Sequence, residues 1–331
     1  MGSLILTFVG LAAIVVVAAK FLAEYADRIA EQTKLGGGIT GLVLLASATS
    51  LPEFSIGYNA VRMNAIDLTA GDVLGSSLIN LLILAVLDLI FRSRESIFSK
   101  SSAAHAMAAM VSCLLTALVI MGMLLDLPTT FLHLGPVSWC VILTYLFCAR
   151  LLYLDQRVAY KSDNPDNGHP KLVKGRLPFN LLAFGASTAV IFLVAPYLAH
   201  TADELSAITG LGRSFFGTVF VAFMTSLPEA VSTFTAIRMG AREMAVGNIL
   251  GSNAFNMTIL TVLDVATPLP ILSQVADVHL LTAGCVLIVT CVTTLCLLYR
   301  AEKRWWLIEP DAALVTLLII GSLYLVFLKS R

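Results

Sequence analysis

Two glutamates, each directly after a proline in an apolar segment, are the residues of this chain best suited to chemistry. Glu53 ends the pentapeptide Thr-Ser-Leu-Pro-Glu, and the same pentapeptide recurs with Glu229 at its end. A charged side chain in the centre of a bilayer costs about 2.5–3.5 kcal/mol even on the lenient insertion scale. It must therefore face the protein interior, be neutralised or meet a cation. Two such carboxylates in matched motifs favour a shared cation-binding centre over two protonated glutamates that hydrogen-bond neighbouring helices.

The proline before each glutamate adds backbone oxygens to this centre. Pro52 and Pro228 have no N–H, so each leaves the carbonyl four residues earlier, at Ala48 and Met224, without its helical donor. In a membrane such a carbonyl is tolerated only where it lines a cavity or meets a ligand. The sequence therefore predicts a helix break with free acceptors one turn before each glutamate.

A second segment follows each glutamate and carries further polar side chains. Ser76 and Asn80 are four residues apart, as are Ser252 and Asn256, so each pair lies on one helix face. Glycines on the preceding turns would let neighbouring helices approach closely. These glycines are Gly71, Gly75, Gly247 and Gly251.

The candidate ligands offer only oxygen, which suits Ca²⁺, Na⁺, Mg²⁺ or Mn²⁺ better than Zn²⁺ or copper. Two glutamates supply two negative charges, which one divalent ion or two monovalent ions would balance. An empty site would bring two charges together in a low dielectric, and this disfavours reorientation without cargo. That property is typical of an antiporter.

An internal repeat relates these segments. Residues 41–88 and 217–264 align without gaps at a constant offset, and 22 of the 48 positions are identical. The chain has ten hydrophobic runs that are long enough to cross a membrane, and each is predicted to be a membrane span. The predicted spans are 3–27, 36–61, 67–91, 103–125, 129–154, 179–202, 213–238, 243–268, 277–299 and 309–328.

The spans divide into two five-helix halves. The halves are residues 1–154 and 178–331, and the polar stretch 155–177 links them. Because each half has an odd number of spans, the second half enters the membrane from the opposite side, as in many secondary transporters. The predicted fold is an all-α integral membrane protein of ten helices in two inverted repeats. Spans 2, 3, 7 and 8 contain Gly, Pro or polar residues, and we expect these four helices to be broken.

Composition excludes several classes of protein. Of 331 residues, 58% are hydrophobic and 13% charged, with no net charge, whereas soluble domains average about 25% charged residues. The balanced charge predicts no nucleic-acid partner. The six cysteines lie in apolar segments without a C-x-x-C spacing, which indicates buried thiols rather than disulfides or zinc. The first apolar run indicates a span rather than a signal peptide, and no obligate protein partner is evident.

Basic residues predict the orientation. One face carries sixteen of them and the other face four, Arg62, Arg213, Lys329 and Arg331. By the positive-inside rule the richer face is cytoplasmic. The sequence thus predicts a multi-pass protein of the cell membrane with both termini outside and the 155–177 loop in the cytoplasm. The sixteen are Arg28, Lys34, Arg92, Arg94, Lys100, Arg150, Arg157, Lys161, Lys171, Lys174, Arg176, Arg238, Arg242, Arg300, Lys303 and Arg304.

At these motifs the chain resembles the calcium/cation antiporter superfamily and, within it, prokaryotic-type sodium/calcium exchangers. The family pattern pairs T-S-x-P-E with G-N-x-x-G-S-N-x-x-N/D, and the second repeat matches it closely from Gly247 to Asn256. The resemblance implies alternating access, with inward Na⁺ driving Ca²⁺ outward and no cofactor. It makes Glu53 and Glu229 the principal ligands. It also implies that hydroxyl, main-chain or amide oxygens come from Thr49, Ser50, Ser76, Asn80, Thr225, Ser226, Ser252 and Asn256.

The first repeat departs from the pattern at two positions. Asp72 and Ser77 stand where the second repeat has Asn248 and Asn253. Asp72 could add a cation- or proton-binding charge, but we expect it at the outer mouth of span 3. Asn80 and Asn256 limit the central charge to two glutamates, which argues against K⁺ co-transport. Asp88 and Asp264 also repeat; an ion pair with Arg92 is expected for Asp88.

Three other functions fit the sequence less well. A proton-coupled exchanger of Ca²⁺ or another divalent cation could use the same glutamates. Proton-coupled members of the superfamily that the chain resembles, however, tend to carry G-N-x-x-E in place of T-S-L-P-E. An intramembrane enzyme would need a nucleophile–base pair or a His/Asp metal motif near a glutamate, and the sequence has neither, so the protein is predicted not to be an enzyme. A passive channel more often builds its ring of charges from several subunits.

Overall fold

The computed structural model describes residues 2–33, 37–91, 103–163, 177–208, 222–298 and 312–329. Within them the chain is helical, with no strand beyond a single bridge between Phe131 and Leu134. The helices are α1 (Gly2–Thr33), α2 (Gly37–Thr49), α3 (Leu51–Arg62), α4 (Ile66–Phe91), α5 (Ala103–Leu125), α6 (Pro136–Asp163), α7 (Leu177–Ile208), α8 (Leu227–Met239), α9 (Arg242–Val262), α10 (Asp277–Leu298) and α11 (Ala312–Lys329).

Eight of these helices are long and apolar enough to cross a membrane, and the bent pair α2–α3 makes a ninth span. They correspond to nine of the ten spans expected from the sequence. Of the expected seventh span, 213–238, the first part lies outside the described residues. A helical turn at 222–225 and then α8 form the remainder.

The helical path is interrupted in the same way in both repeats. Ser50 has φ −88° and ψ 8°, and Ser226 has φ −81° and ψ 9°, so both leave the α-helical region. In each case a proline follows two residues later, at the first turn of the next helix, where a missing N–H is harmless. The α2–α3 path bends there by 40°. Each glutamate therefore lies in the first turn of a new helix.

The expected breaks in spans 3 and 8 do not occur. α4 runs continuously from Ile66 to Phe91 and α9 from Arg242 to Val262. The polar and glycine residues of these spans keep their backbone N–H groups, so the ladder of hydrogen bonds survives. A glycine within a helix costs only about 1 kcal/mol relative to alanine. In the described part of the chain, the interrupted spans are those that contain Pro52 and Pro228, whereas α7 continues through Pro196.

Burial separates a central pair of helices from a peripheral pair. In α9 78% and in α4 72% of the most apolar window is buried, against 17% in α1 and 22% in α7. The peripheral helices α1 and α7 pack against each other along their length. Because the outer helices leave most of their apolar surface to lipid, the two motif-bearing helices α4 and α9 form the core of the bundle.

A close backbone contact holds α2 against α9. The chain of α2 widens into a π-helix at Thr40–Leu45, a form often found at functional sites. A Cβ added at Gly41 would lie 2.2 Å from the carbonyl oxygen of Met244, and one at Gly251 would lie 2.3 Å from that of Leu42. Only glycine permits this approach, which brings the end of α2 to the centre of α9.

Candidate cation-binding site

The ten residues selected from the sequence are brought together in the interior. Each has 0% relative exposure. They come from four places: the two helix breaks, at the end of α2 and the start of α8, and the middle of α4 and α9. They are Thr49, Ser50, Glu53, Ser76, Asn80, Thr225, Ser226, Glu229, Ser252 and Asn256.

The first break contacts the second repeat. The Thr49 hydroxyl lies 3.4 Å from Oδ1 of Asn248 and 3.4 Å from Oγ of Ser252, both on α9. It also lies 3.2 Å from the carbonyl oxygen of Ala46. The Thr-Ser-Leu-Pro-Glu element of one repeat is therefore fitted to the Gly-x-x-x-Gly-Ser segment of the other.

The second break contacts the first repeat in the equivalent way. The Thr225 hydroxyl lies 3.3 Å from Oδ1 of Asp72 and 3.3 Å from Oγ of Ser76, both on α4. It is also 2.9 Å from the carbonyl oxygen of Ala222. Each of these partners is the repeat counterpart of a Thr49 partner. The two halves thus exchange the same contacts, which gives the centre an approximate two-fold symmetry.

Two carboxamides cross between α4 and α9 with their oxygens left free. Asn80 donates from Nδ2 to Oδ1 of Asn253 at 3.0 Å, and Asn256 donates to Oγ of Ser77 at 3.4 Å. Oδ1 of Asn80 and Oδ1 of Asn256 are buried and have no partner among the described residues. Because the opposite helix holds both amino groups, the oxygens are available as ligands.

The carboxylates of the two glutamates lack most of their hydrogen-bond partners among the described residues. Ser50 donates to Oε1 of Glu229 at 3.1 Å. Oε2 of Glu229, both carboxylate oxygens of Glu53 and the Ser226 hydroxyl are buried and lack a partner among the described residues. A charge buried without a partner costs several kcal/mol. The arrangement is therefore suited to a cation that supplies the missing interaction.

Asp72 belongs to this centre, and the expectation that it lies at the outer mouth of span 3 is wrong. Its side chain is 6% exposed, and its carboxylate accepts from Thr225. It is close enough to Glu53 and Glu229 for the three charges to repel one another. The position follows from helix geometry, because Asp72 lies one turn before Ser76 on the same face of α4.

Asn248 and Asn253, which the sequence marks only as differences between the repeats, support the candidate ligands. Asn248 donates from Nδ2 to Oγ of Ser232 at 3.0 Å and to Oγ1 of Thr233 at 2.9 Å. Asn253 donates to the carbonyl oxygen of Ser77 at 3.0 Å. A signal was present, since the supporting residues fall where the two repeats differ.

Asp264, one of the two repeated aspartates outside the centre, has a structural role. Asp264 accepts hydrogen bonds from the Ser138 hydroxyl at 2.6 Å and from the N–H groups of Ile271 at 2.7 Å and Gly135 at 2.9 Å. It therefore fastens the loop before α6 to the turn after α9. The pairing of Asp88 with Arg92 was an expectation, and Arg92 lies outside the described residues.

The helices and the family pattern of the chain define a multi-pass membrane protein, and its candidate site is a buried centre lined by oxygen atoms. A family model described as sodium/calcium exchanger protein matches residues 3–154 and 179–329. These segments make up most of the sequence, and the chain belongs to that family.

A solved structure has the same fold, and other chains are similar in sequence. The sodium-calcium exchanger NCX_Mj, soaked with Na⁺ and Sr²⁺, superposes with a TM-score of 0.71 over 98% of this chain and 99% of its own, at 19% identity. Inner membrane protein YrbG of Escherichia coli is 26% identical over 67% of both chains. Sodium/calcium exchanger MaX1 of Methanosarcina acetivorans is 32% identical over 27% of this chain and 25% of its own.

Proposed function

We propose that this protein is a Na⁺/Ca²⁺ antiporter in which the inward Na⁺ gradient drives Ca²⁺ out of the cell. The observation that carries the proposal is the pair of buried glutamates, Glu53 and Glu229, with three of their four carboxylate oxygens unpartnered among the described residues. Names of relatives that include sodium/calcium exchange support the choice of ions.

The donor set favours these ions on chemical grounds. Carboxylate, amide, hydroxyl and carbonyl oxygens are hard ligands, and Ca²⁺ takes about six to eight of them at about 2.3–2.6 Å. The glutamates would contribute charge, and Asn80 and Asn256 would complete the shell with their free oxygens. Among the described residues no histidine or cysteine joins the carboxylates in a metal-binding cluster.

The two-fold arrangement of the centre supports alternating access. Each half supplies one glutamate, one helix break and one serine–asparagine pair, so equivalent movements of the two halves would open the site to opposite sides. An empty site would leave like charges facing one another in a low dielectric. We propose that this repulsion hinders reorientation without cargo and makes exchange obligatory.

Ca²⁺ uptake by proteoliposomes tests the coupling ion. Vesicles loaded with Na⁺ and diluted into Na⁺-free medium with radioactive Ca²⁺ are expected to accumulate Ca²⁺, because outward Na⁺ flow supplies the free energy. Vesicles loaded with choline are expected to accumulate none. If a pH gradient drives uptake into choline vesicles equally well, the protein is a proton-coupled exchanger; absence of Ca²⁺ flux under both gradients would reject the proposal.

We further propose that both termini lie outside and that the 155–177 loop lies in the cytoplasm. The proposal rests on the distribution of basic residues, sixteen on one face and four on the other. The exposed loop 126–135 would then be external.

Cysteine labelling on intact cells tests this orientation. In a background without the native cysteines, Thr129→Cys is expected to react with a membrane-impermeant thiol reagent, because Thr129 is exposed in the external loop. Asn167→Cys is expected to react only after the membrane is permeabilised. The reverse pattern would invert the topology, and with it the proposed direction of each helix.

A further inference from the structure

A tight hairpin, residues 131–134, closes the loop between α5 and α6. The N–H of Phe131 donates to the carbonyl oxygen of Leu134 at 2.8 Å, and the N–H of Leu134 donates to that of Phe131 at 3.1 Å. The two residues between them, Leu132 and His133, have φ values of 51° and 65°. A two-residue hairpin turn with positive φ at both central positions is normally built from Asn-Gly or Asp-Gly. Here neither residue is one that favours the turn.

Leucine at the tip of this hairpin is strained and exposed at the same time. In the left-handed region the Cβ of an L-residue crowds the following carbonyl oxygen, and a bulky residue there is an outlier. The turn nevertheless leaves Leu132 and Phe131 68% and 67% exposed. Backbone strain of this kind concentrates where a feature has a function. Two large apolar side chains at a strained tip therefore indicate a contact that lies outside the chain.

Contacts on its other side hold the hairpin in place. Leu134 is buried, and the next residue, Gly135, donates its N–H to Oδ2 of Asp264 at 2.9 Å. The indole N–H of Trp139 donates to the carbonyl oxygen of Phe131 at 2.9 Å, and the two rings lie 6.5 Å apart. The protein thus fixes the backbone of the hairpin and leaves its apolar tip exposed.

Trp139 places the hairpin on the lipid-facing side of α6. It lies in the first turn of that helix, about 4.5 Å along the axis from Pro136. Leu143 and Leu146 follow at i+4 and i+7 on the same face, and each is more than half exposed. In a multi-pass membrane protein such a row of exposed leucines contacts lipid. Because Phe131 lies against Trp139, the hairpin stands beside this row rather than above the end of the helix.

The composition of the loop suits the same place. Residues 127–149, which include the hairpin and the first half of α6, contain no Asp, Glu, Lys or Arg. For this reason the sequence predicts that the fifth span starts at residue 129, whereas α6 begins at Pro136. The exposed imidazole of His133 gives the hairpin one polar edge. An apolar body with a polar edge fits the boundary between hydrocarbon and lipid headgroups.

We propose that the hairpin docks on the bilayer, with Phe131 and Leu132 inserted among the lipids of the adjacent leaflet beside Trp139. Lipid is the partner because the hairpin continues the lipid-facing row of α6 with no charged residue between them. Insertion removes the apolar surface of both side chains from water, which offsets the strain of the turn. It also fixes the depth of the start of α6 and, through the hydrogen bond from Gly135 to Asp264, of the turn after α9.

Thiol reactivity in liposomes tests the proposal. Leu132→Cys and Thr129→Cys are made separately in the full-length protein without its native cysteines and reconstituted in vesicles of phosphatidylcholine and phosphatidylglycerol. Thr129 is the matched control, because it is an exposed residue of the same loop outside the hairpin. A water-soluble maleimide is expected to label Leu132→Cys at least about tenfold more slowly, since the reactive thiolate is disfavoured in apolar surroundings. Phe131→Cys, at the other tip residue, is expected to behave like Leu132→Cys. Equal rates at the tip and at position 129 overturn the proposal.

Quenching by lipid identifies the partner. A fluorophore on the same thiols is expected to be quenched by lipids with a nitroxide near the headgroup more strongly in Leu132→Cys than in Thr129→Cys. A second copy of the chain is the other possible occupant of the tip. Slow labelling of Leu132→Cys that disappears when the protein is diluted with lipid would identify that second copy and overturn the proposal. Neither readout involves ion transport, so failure of the proposed exchange of Na⁺ for Ca²⁺ would not affect the result.

Discussion

Replacing either glutamate by glutamine is expected to abolish Ca²⁺ transport while the protein remains folded. Glu53→Gln and Glu229→Gln each keep the shape of the side chain but remove one of the two charges proposed to hold Ca²⁺. Truncating one partner of a buried charge pair costs about 3 kcal/mol or more, which is at least about 100-fold in affinity. Radioactive Ca²⁺ uptake and Ca²⁺ binding to the purified variants measure the loss.

The structure also predicts that the variants stay folded. The unpartnered oxygens of Glu53 and Glu229 make no hydrogen bond to the described residues that glutamine would break, and in Glu229→Gln the Ser50 hydroxyl can still donate to the new amide oxygen. Removing one of the mutually repelling charges should leave thermal stability unchanged or raise it. Glu243→Gln, at an exposed position in the first turn of α9, is the matched control for the substitution. Near-normal flux in either site variant would contradict the site assignment.

Adding one methyl group at Gly251 is expected to disrupt the centre by displacing α2. The new Cβ would lie 2.3 Å from the carbonyl oxygen of Leu42 and 2.7 Å from its Cα. Both are backbone atoms, so rotation of a side chain cannot relieve the clash. Overpacking of this kind typically costs about 1–3 kcal/mol. Gly251→Ala should therefore melt at a lower temperature than the wild type and bind Ca²⁺ more weakly, because Thr49 would move away from Ser252.

The first repeat provides a matched control for this variant. Gly75 is the repeat counterpart of Gly251, but among the described residues the nearest atom to a Cβ there would be Cβ of Ala222 at 3.7 Å, an ordinary van der Waals distance. The free energy of unfolding of Gly75→Ala is expected to lie within about 1 kcal/mol of the wild-type value, because alanine favours the helix by about that amount. Equal melting of the two variants would show that the α2–α9 contact does not hold the bundle together.

The sequence by itself determined the class of the protein and gave ten of the polar residues that meet in its centre. Hydrophobic runs of membrane-spanning length were sufficient to predict the helices, because every backbone polar group must be paired within the bilayer. The repeat identified Glu53 and Glu229, since a carboxylate duplicated in apolar surroundings is expensive unless it is used. Of the four helix breaks predicted, the two next to Pro52 and Pro228 were correctly placed.

Tertiary structure alone decided how the two repeats meet and which polar groups stay unpaired. Local sequence predicted breaks in spans 3 and 8, but α4 and α9 are continuous. Glycine weakens a helix without removing a backbone hydrogen bond, and packing in the core stabilises both helices. The assignment of Asp72 to the site likewise required its partner Thr225, which is 153 residues away in the chain. Whether a polar side chain is a ligand or a structural support depends on its neighbours across the interface, and those are set by the fold.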